Sequence, residues 1–220
     1  MSCRYGSYKS ENMKIICIGR NYAAHAAELG NDRPDKPVVF MKPASAILAN
    51  NKPFYYPEFS QDIHFETELI LKIGKNGRHV QPPFAMDYVA GISVGLDLTA
   101  RDLQNELKGK GQPWEIAKGF DGSAPLPTEF FAPEFFANLN DIEFGLRKNG
   151  ELVQHGFSRN MLFPVTEIIG YVSRFFRLQL GDLIFTGTPE GVGPIRPGDE
   201  LEAFLVTTEG EQKVLTTRVR

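Results

Sequence analysis

The sequence predicts a β-rich α+β domain, and three observations carry that expectation. Its 21 Gly and 15 Pro punctuate the chain with turns. Short apolar or alternating runs outnumber stretches with helical period. With 42% hydrophobic residues, a chain of 220 can bury a full core and is short enough for one domain.

The elements follow in order. Residues 1–12 are polar and patternless and read as a flexible leader, which leaves a single domain over 13–220. Lys14 to Ile18 is an apolar run that stops at Gly19, the pattern of a buried strand. Asn21 suits an N-cap and Gly30 a C′ position, so YAAHAAEL reads as a short helix. Val38 to Met41 is a short strand, and Pro43, Asn50-Asn51 and Pro53 make the chain irregular as far as Pro57.

Ile63 to Ile73 is the clearest strand and ends in the turn Lys75-Asn76-Gly77; Val89 to Leu98 is another. Thr99 to Asp102 resembles a capping box opening a helix that runs to Lys108. Two alternating runs flank Asn149-Gly150, the strongest hairpin signal in the chain. Pro164 to Phe176 reads as an amphipathic helix with Val165, Ile168, Ile169, Val172, Phe175 and Phe176 on one stripe. Strands at 182–186, 200–206 and 212–219 close the chain.

Composition excludes several classes. The net charge of -3 comes from 27 acidic and 24 basic side chains interspersed along the chain, which argues against nucleic acid as a partner. No apolar stretch approaches the roughly 18 residues that span a bilayer, and the first residues lack a signal-peptide core. A cytoplasmic protein without a membrane partner is expected. Cys3 and Cys17 are too few for a disulfide framework or zinc site, and Cys17, inside KIICI, reads as buried and reduced.

Carboxylates carry the clearest chemistry. In HFETELILKI a strand period of two puts Glu66 and Glu68 on one face, opposite Phe65, Thr67, Leu69 and Leu71. Like charges side by side raise each other's pKa unless a cation lies between them. Asp97 ends GISVGLD, where Gly91, Ser93 and Gly95 share its face and leave room for a ligand. Three acids with no thiolate or imidazole cluster describe a hard-cation site for Mg²⁺, Mn²⁺ or Ca²⁺. Taken alone, the Glu pair fits the solvated face of a half-buried strand better, and spacing does not bring residue 97 beside residue 66.

Other groups allow two readings each. His25 and Glu28 are three apart on one helix face, either a carboxylate-oriented general base or an exposed ion pair. Lys118 either approaches a developing enolate or lies at the surface. Gln104, two helical turns beyond Asp97, either reaches a ligand or is a surface amide. The loop TGTPEGVG offers backbone N–H groups and the Thr188 hydroxyl to a carboxylate, or is a tight connection. It lacks the ending of a phosphate loop. Phe54, Tyr55, Tyr56 and Phe120 either shape an acyl pocket or pack.

Together, GRNYAAHAAE (19–28), FMKP (40–43), HFETEL (64–69), MDYVAGISVGLDLTARDLQ (86–104), KGQPWEIAKGFDGSAP (110–125) and LIFTGTPEGVGP (183–194) resemble the fumarylacetoacetate hydrolase family, from about Lys14 to the C-terminus. The resemblance implies a β-rich mixed roll or barrel with flanking helices forming one catalytic domain, usually a homodimer. It implies Glu66, Glu68 and Asp97 as ligands of Mg²⁺ or Mn²⁺. His25 and Glu28 match a His-x-x-Glu pair on a mobile helix that orders over bound substrate. Lys118, Gln104, Arg101, Arg20 and Thr188 match positions that contact a small 2-oxo acid or its enolate. A further Asp of larger members has no counterpart here.

TARDLQ, PWEIAKGFD and TGTPEGVGP are similar to the acylpyruvate hydrolases that also decarboxylate oxaloacetate. That subgroup implies metal-dependent hydrolysis of a C–C bond. Isomerisation, hydration or tautomerisation of 2-oxo dioic acids is the alternative, because those reactions share the enolate. A metal-stabilised metabolite-binding module is the non-enzymatic reading.

Overall fold

A computed structural model of the protein describes residues 13–28 and 33–220; the leader expected over 1–12 and the C′ role given to Gly30 lie outside the described residues. Strand β1 (Ile15–Gly19) is apolar throughout because both its faces are covered. Ile16 and Ile18 join the larger core, and Ile15 and Cys17 join a smaller one behind the sheet. Cys17 is free and buried.

Helix α1 (Ala23–Glu28) and β2 (Val38–Lys42) follow. Asn21 does not cap α1. Its amide donates to the carbonyls of Phe163 (3.1 Å) and Thr186 (2.7 Å), and its oxygen accepts from the Phe163 N–H (2.8 Å), so distant backbone takes the groups a cap would use. After β3 (Ile47–Leu48) the chain is irregular, as its prolines require.

The run expected as one strand over 63–73 is two, β4 (Ile63–Phe65) and β5 (Thr67–Ile73), broken at Glu66. A 3-10 segment over Pro82–Tyr88 leads to β6 (Val89–Leu96), β7 (Thr99–Ala100) and α2 (Arg101–Gly109). The capping box is also corrected. Thr99 belongs to β7, the N-cap position falls on Ala100, and Asp102 instead accepts from the Ser60 hydroxyl (2.7 Å) and the Gln61 N–H (2.9 Å).

Next come α3 (Glu115–Lys118), β8 (Ala124–Pro125), β9 (Glu143–Lys148) and β10 (Glu151–Phe157). Asn149 and Gly150, at φ 53° and 85°, form the two-residue turn that joins β9 to β10. Helix α4 (Val165–Phe175) buries Val165, Ile168, Ile169 and Val172. Phe175, expected on that stripe, is 58% exposed and meets the rings of Tyr171 and Phe176 and the Arg174 guanidinium on its own segment. Strands β11 (Leu183–Phe185), β12 (Gly193–Pro194), β13 (Glu200–Thr207) and β14 (Gly210–Arg218) complete the fold.

Among the described residues four sheets form, ordered β2-β1-β11-β5-β6, β10-β9-β13-β14, β12-β4-β7 and β3-β8. The break at Glu66 now has its reason: β4 pairs with β12 and β7, while β5 lies between β11 and β6. The two halves of one apolar run serve different sheets. The larger core fills the space between the five- and four-stranded sheets, with Leu69, Leu71 and Val94 among the buried residues it shares with Phe144, Leu146 and Leu205. The architecture is the expected β-rich α+β roll, and among the described residues the strands close no barrel. No helix described is long and apolar enough to cross a membrane.

Candidate metal centre and active site

The hairpin of β5 and β6 brings the acids together. Its register pairs Thr67 with Leu96 and Glu68 with Gly95, so one step further Glu66 stands across from Asp97. A hydrogen bond from the Asp97 N–H to the Glu66 carbonyl (2.8 Å) fixes that step. All three carboxylates are buried, and one oxygen from each lies within 4.8 Å of the others. The solvated-face reading of the Glu pair is therefore excluded. The room expected beside Gly95 is filled by the protein itself, since a Cβ there would run into Ile70 Cδ1 and meet the Pro125 carbonyl at 2.7 Å.

Three buried cations pair with two of the acids, Glu66 and Asp97. Lys118 Nζ donates to Glu66 Oε2 (2.8 Å), Asp97 Oδ2 (2.6 Å) and Thr99 Oγ1 (2.7 Å). Arg101 donates to the other Glu66 oxygen and to Gln104 Oε1. Lys42 Nζ pairs with Asp97 Oδ1 at 2.8 Å and donates to the Ser123 carbonyl and hydroxyl and to the Lys118 carbonyl. Burial works to raise the pKa of Glu66, but Lys118 and Arg101 outweigh it and hold the carboxyl below the usual range. For Lys118 burial works downward, and Asp97 and Glu66 outweigh it, so the ammonium stays charged.

Glu68 differs. Its one hydrogen bond shown is from the Gly187 N–H at 2.6 Å, and burial, followed by Asp97, pushes its carboxyl well above the usual range. Gly187 is needed there: its φ is +97°, and a Cβ would meet Asn21 Cβ at 2.7 Å. The acid set, all oxygen donors with one carboxylate short of positive charge, fits a hard divalent ion. The side chains leave about 30 Å³ between them, the room of one small ion or water.

Around this floor stand Arg20, His25, Gln104, Lys108, Trp114 and Thr188. His25 Nδ1 lies 3.2 Å from Glu28 Oε2, and Glu28 in turn accepts from the Gly191 N–H (3.2 Å). Two N–H groups of the TGTPEGVG loop are thus given to the protein's own carboxylates, Gly187 to Glu68 and Gly191 to Glu28. Thr188 Oγ1 accepts from Gln154 Nε2 (2.9 Å), and Gln154 Oε1 accepts from the Thr67 N–H (2.9 Å). The structure thus brings all ten sequence-selected residues to one cleft, nine lining it and Glu28 behind His25.

The possible acyl-pocket aromatics divide. Phe54 packs in the core, Tyr55 is exposed, and Tyr56 uses its hydroxyl to accept from the Ile63 N–H (3.1 Å). Phe120 lines a separate open groove of about 1010 Å³ with Phe59, Leu103 and Ile116. Lys42, Lys108, Trp114 and Gln154 were missed by sequence reasoning. The only local signal for Lys42 was a lysine inside the apolar run VVFMK.

The profile of the family described as fumarylacetoacetate (FAA) hydrolase C-terminal matches residues 14–219. The chain is 43% identical over 189 residues to the mitochondrial oxaloacetate tautomerase FAHD1 of Bos taurus, covering 86% of this chain and 85% of that one. To the oxaloacetate tautomerase YcgM of Escherichia coli (strain K12) it is 42% identical over 206 residues, covering 94% and 92%. A crystal structure of fumarylpyruvate hydrolase from Pseudomonas aeruginosa in complex with Mn²⁺ and pyruvate has a TM-score of 0.87 at 37% identity, covering 98% of this chain and 93% of that one.

Proposed function

The chain belongs to the fumarylacetoacetate hydrolase family, and on that premise we propose that it is an enzyme moving a proton at C3 of a small 2-oxo acid, with oxaloacetate as substrate. One observation carries the reading: the buried Glu66, Glu68 and Asp97 share a cleft with a charged lysine and a carboxylate-oriented histidine. Mg²⁺ or Mn²⁺ held by the three acids would supply Lewis-acid polarisation of the 2-oxo group. The Mn²⁺ bound by the Pseudomonas relative supports that choice.

His25 faces Glu28 through Nδ1, which leaves Nε2 to take the proton from C3. Lys118, whose three N–H groups are held by Glu66, Asp97 and Thr99, stabilises the C2 oxygen by its positive charge as negative charge gathers there. Arg101 and Gln104 orient the carboxylate end. Return of the proton to the C2 oxygen gives the enol, and the reverse sequence restores the ketone. Loss of the C4 carboxylate as CO₂ breaks the C3–C4 bond instead and leaves the enolate of pyruvate, with its charge on the same C2 oxygen.

Hydrolysis of an acylpyruvate is the second reading, favoured by the His25–Glu28 pair, an arrangement that also serves to take a proton from water. Water would add to the C4 carbonyl and the C3–C4 bond would break, leaving pyruvate and a carboxylic acid. Enol absorbance of oxaloacetate and pyruvate release from oxaloacetate and acetylpyruvate test the two in parallel, with Mg²⁺ and with EDTA. His25→Ala is expected to lose about 10²- to 10⁴-fold in rate without losing Mn²⁺ binding. Rates unchanged by chelation, or by His25→Ala, would overturn the proposal; pyruvate release from acetylpyruvate alone would install the hydrolase.

A further inference from the structure

The cleft holds more positive charge than its acids use. Lys42 pairs with Asp97, Arg101 with Glu66, and Lys118 with both. Arg20 and Lys108 do not: among the described residues neither forms a salt bridge, and both lie against Trp114. Lys108 Nζ is 5.5 Å from the ring centroid and the Arg20 guanidinium 6.0 Å. The ring is itself held edge-on by Phe40 at 6.0 Å.

Two features say that this grouping serves a ligand. Arg20 adopts φ 58°, uncommon for a residue with a side chain, and its Nε is buried without a partner. Burial, then Arg101 and Arg20, pushes Lys108 down to about 8, while Glu66 raises it and Lys118 lowers it. Cations crowded on one ring, with none of the protein's own acids in a salt bridge to them among the described residues, are relieved by an anion from outside.

We propose that Lys108, on the Trp114 ring beside Arg20, is the specificity-determining residue that binds the distal carboxylate of a dicarboxylic 2-oxo acid and so selects a charged tail over a neutral one. The inference rests on the reading that the 2-oxo head binds at Glu66, Glu68 and Asp97. A charge-assisted hydrogen bond contributes about 1.5–3 kcal/mol, so the tail is expected to bind roughly 10- to 100-fold more weakly without it.

Trp114 is the single tryptophan of the chain, so its fluorescence reports binding directly. With the Mg²⁺-loaded protein, titrations with pyruvate, which has the head alone, and with 2-oxoglutarate, which adds a distal carboxylate, separate the two ends. Lys108→Met is expected to weaken 2-oxoglutarate about 10- to 100-fold and leave pyruvate within about twofold, with Lys108→Arg restoring the difference. In the wild type, binding of 2-oxoglutarate should weaken above about pH 8 as Lys108 loses its proton; in Lys108→Arg it should not. Equal effects on both ligands, or none on either, would overturn the inference. If Glu68→Ala leaves pyruvate binding unchanged, the head site itself is wrong, whatever Lys108 does.

Discussion

Replacing Lys42 by methionine tests how the cleft floor is held. The side chain is wholly buried, and methionine nearly conserves its volume, so the change removes charge and donors rather than packing. Asp97 loses a cation at 2.8 Å, and the Ser123 carbonyl and hydroxyl lose a donor at 3.1 and 3.0 Å. Breaking a buried pair from one side costs about 3–5 kcal/mol. That is about two to three and a half decades in the folding equilibrium. With a urea slope of about 1–3 kcal/mol/M, the midpoint should fall by at least about 1 M. The assay is urea unfolding in EDTA, followed through Trp114. Adding Asp97→Asn should recover part of the loss, because the two side chains are in contact. A single-variant loss under about 1 kcal/mol, with additive double-variant behaviour, would mean that Lys118 alone satisfies Asp97 and that the reasoning fails.

Glu68→Gln is expected to separate stability from ion binding. The folded carboxyl titrates above its unfolded range, so the native state holds its proton more tightly and metal-free stability falls as pH rises through that interval. The amide removes this loss. Urea midpoints in EDTA at pH 7 should exceed wild type while calorimetry shows no Mn²⁺ uptake, and a lower midpoint would contradict the sign. Gln154→Ala should cost about 2–4 kcal/mol, because the Thr67 N–H, Thr188 Oγ1 and Pro189 carbonyl all lose a buried partner. Hydrogen exchange at Thr67 reads it directly, and unchanged protection there would count against the role.

What was legible in the sequence was what depends on near neighbours. Period two put Glu66 and Glu68 on one side, and the Asn149-Gly150 dipeptide fixed its own turn. The continuous strand assumed for 63–73 was wrong at the residue that mattered, because the break at Glu66 comes from two different sheets competing for one run. Asp97 could not be placed by spacing, since its position opposite Glu66 is set by a register formed across the 3-10 segment at Pro82–Tyr88. Asn21 and Thr99 suited helix caps locally, yet Asn21 spends its amide on Phe163 and Thr186 and Thr99 lies in a strand beside Lys118. Lys42 gave little sign, because its burial depends on Ser123 and Asp97, each more than fifty residues away.

With Glu68 ionised, as metal binding requires, Glu66, Glu68 and Asp97 balance Lys42, Arg101 and Lys118 and the cleft floor is formally neutral, although the ion pairs reach only Glu66 and Asp97. Neutrality makes the order of events matter. A dication added to a balanced floor leaves a surplus of two positive charges in a water-poor place, and an anionic substrate removes it. The two should therefore bind with positive cooperativity, each tightening the other by the same factor. Affinity for Mn²⁺ is then a property of the pair, low in buffer alone and higher when pyruvate is present.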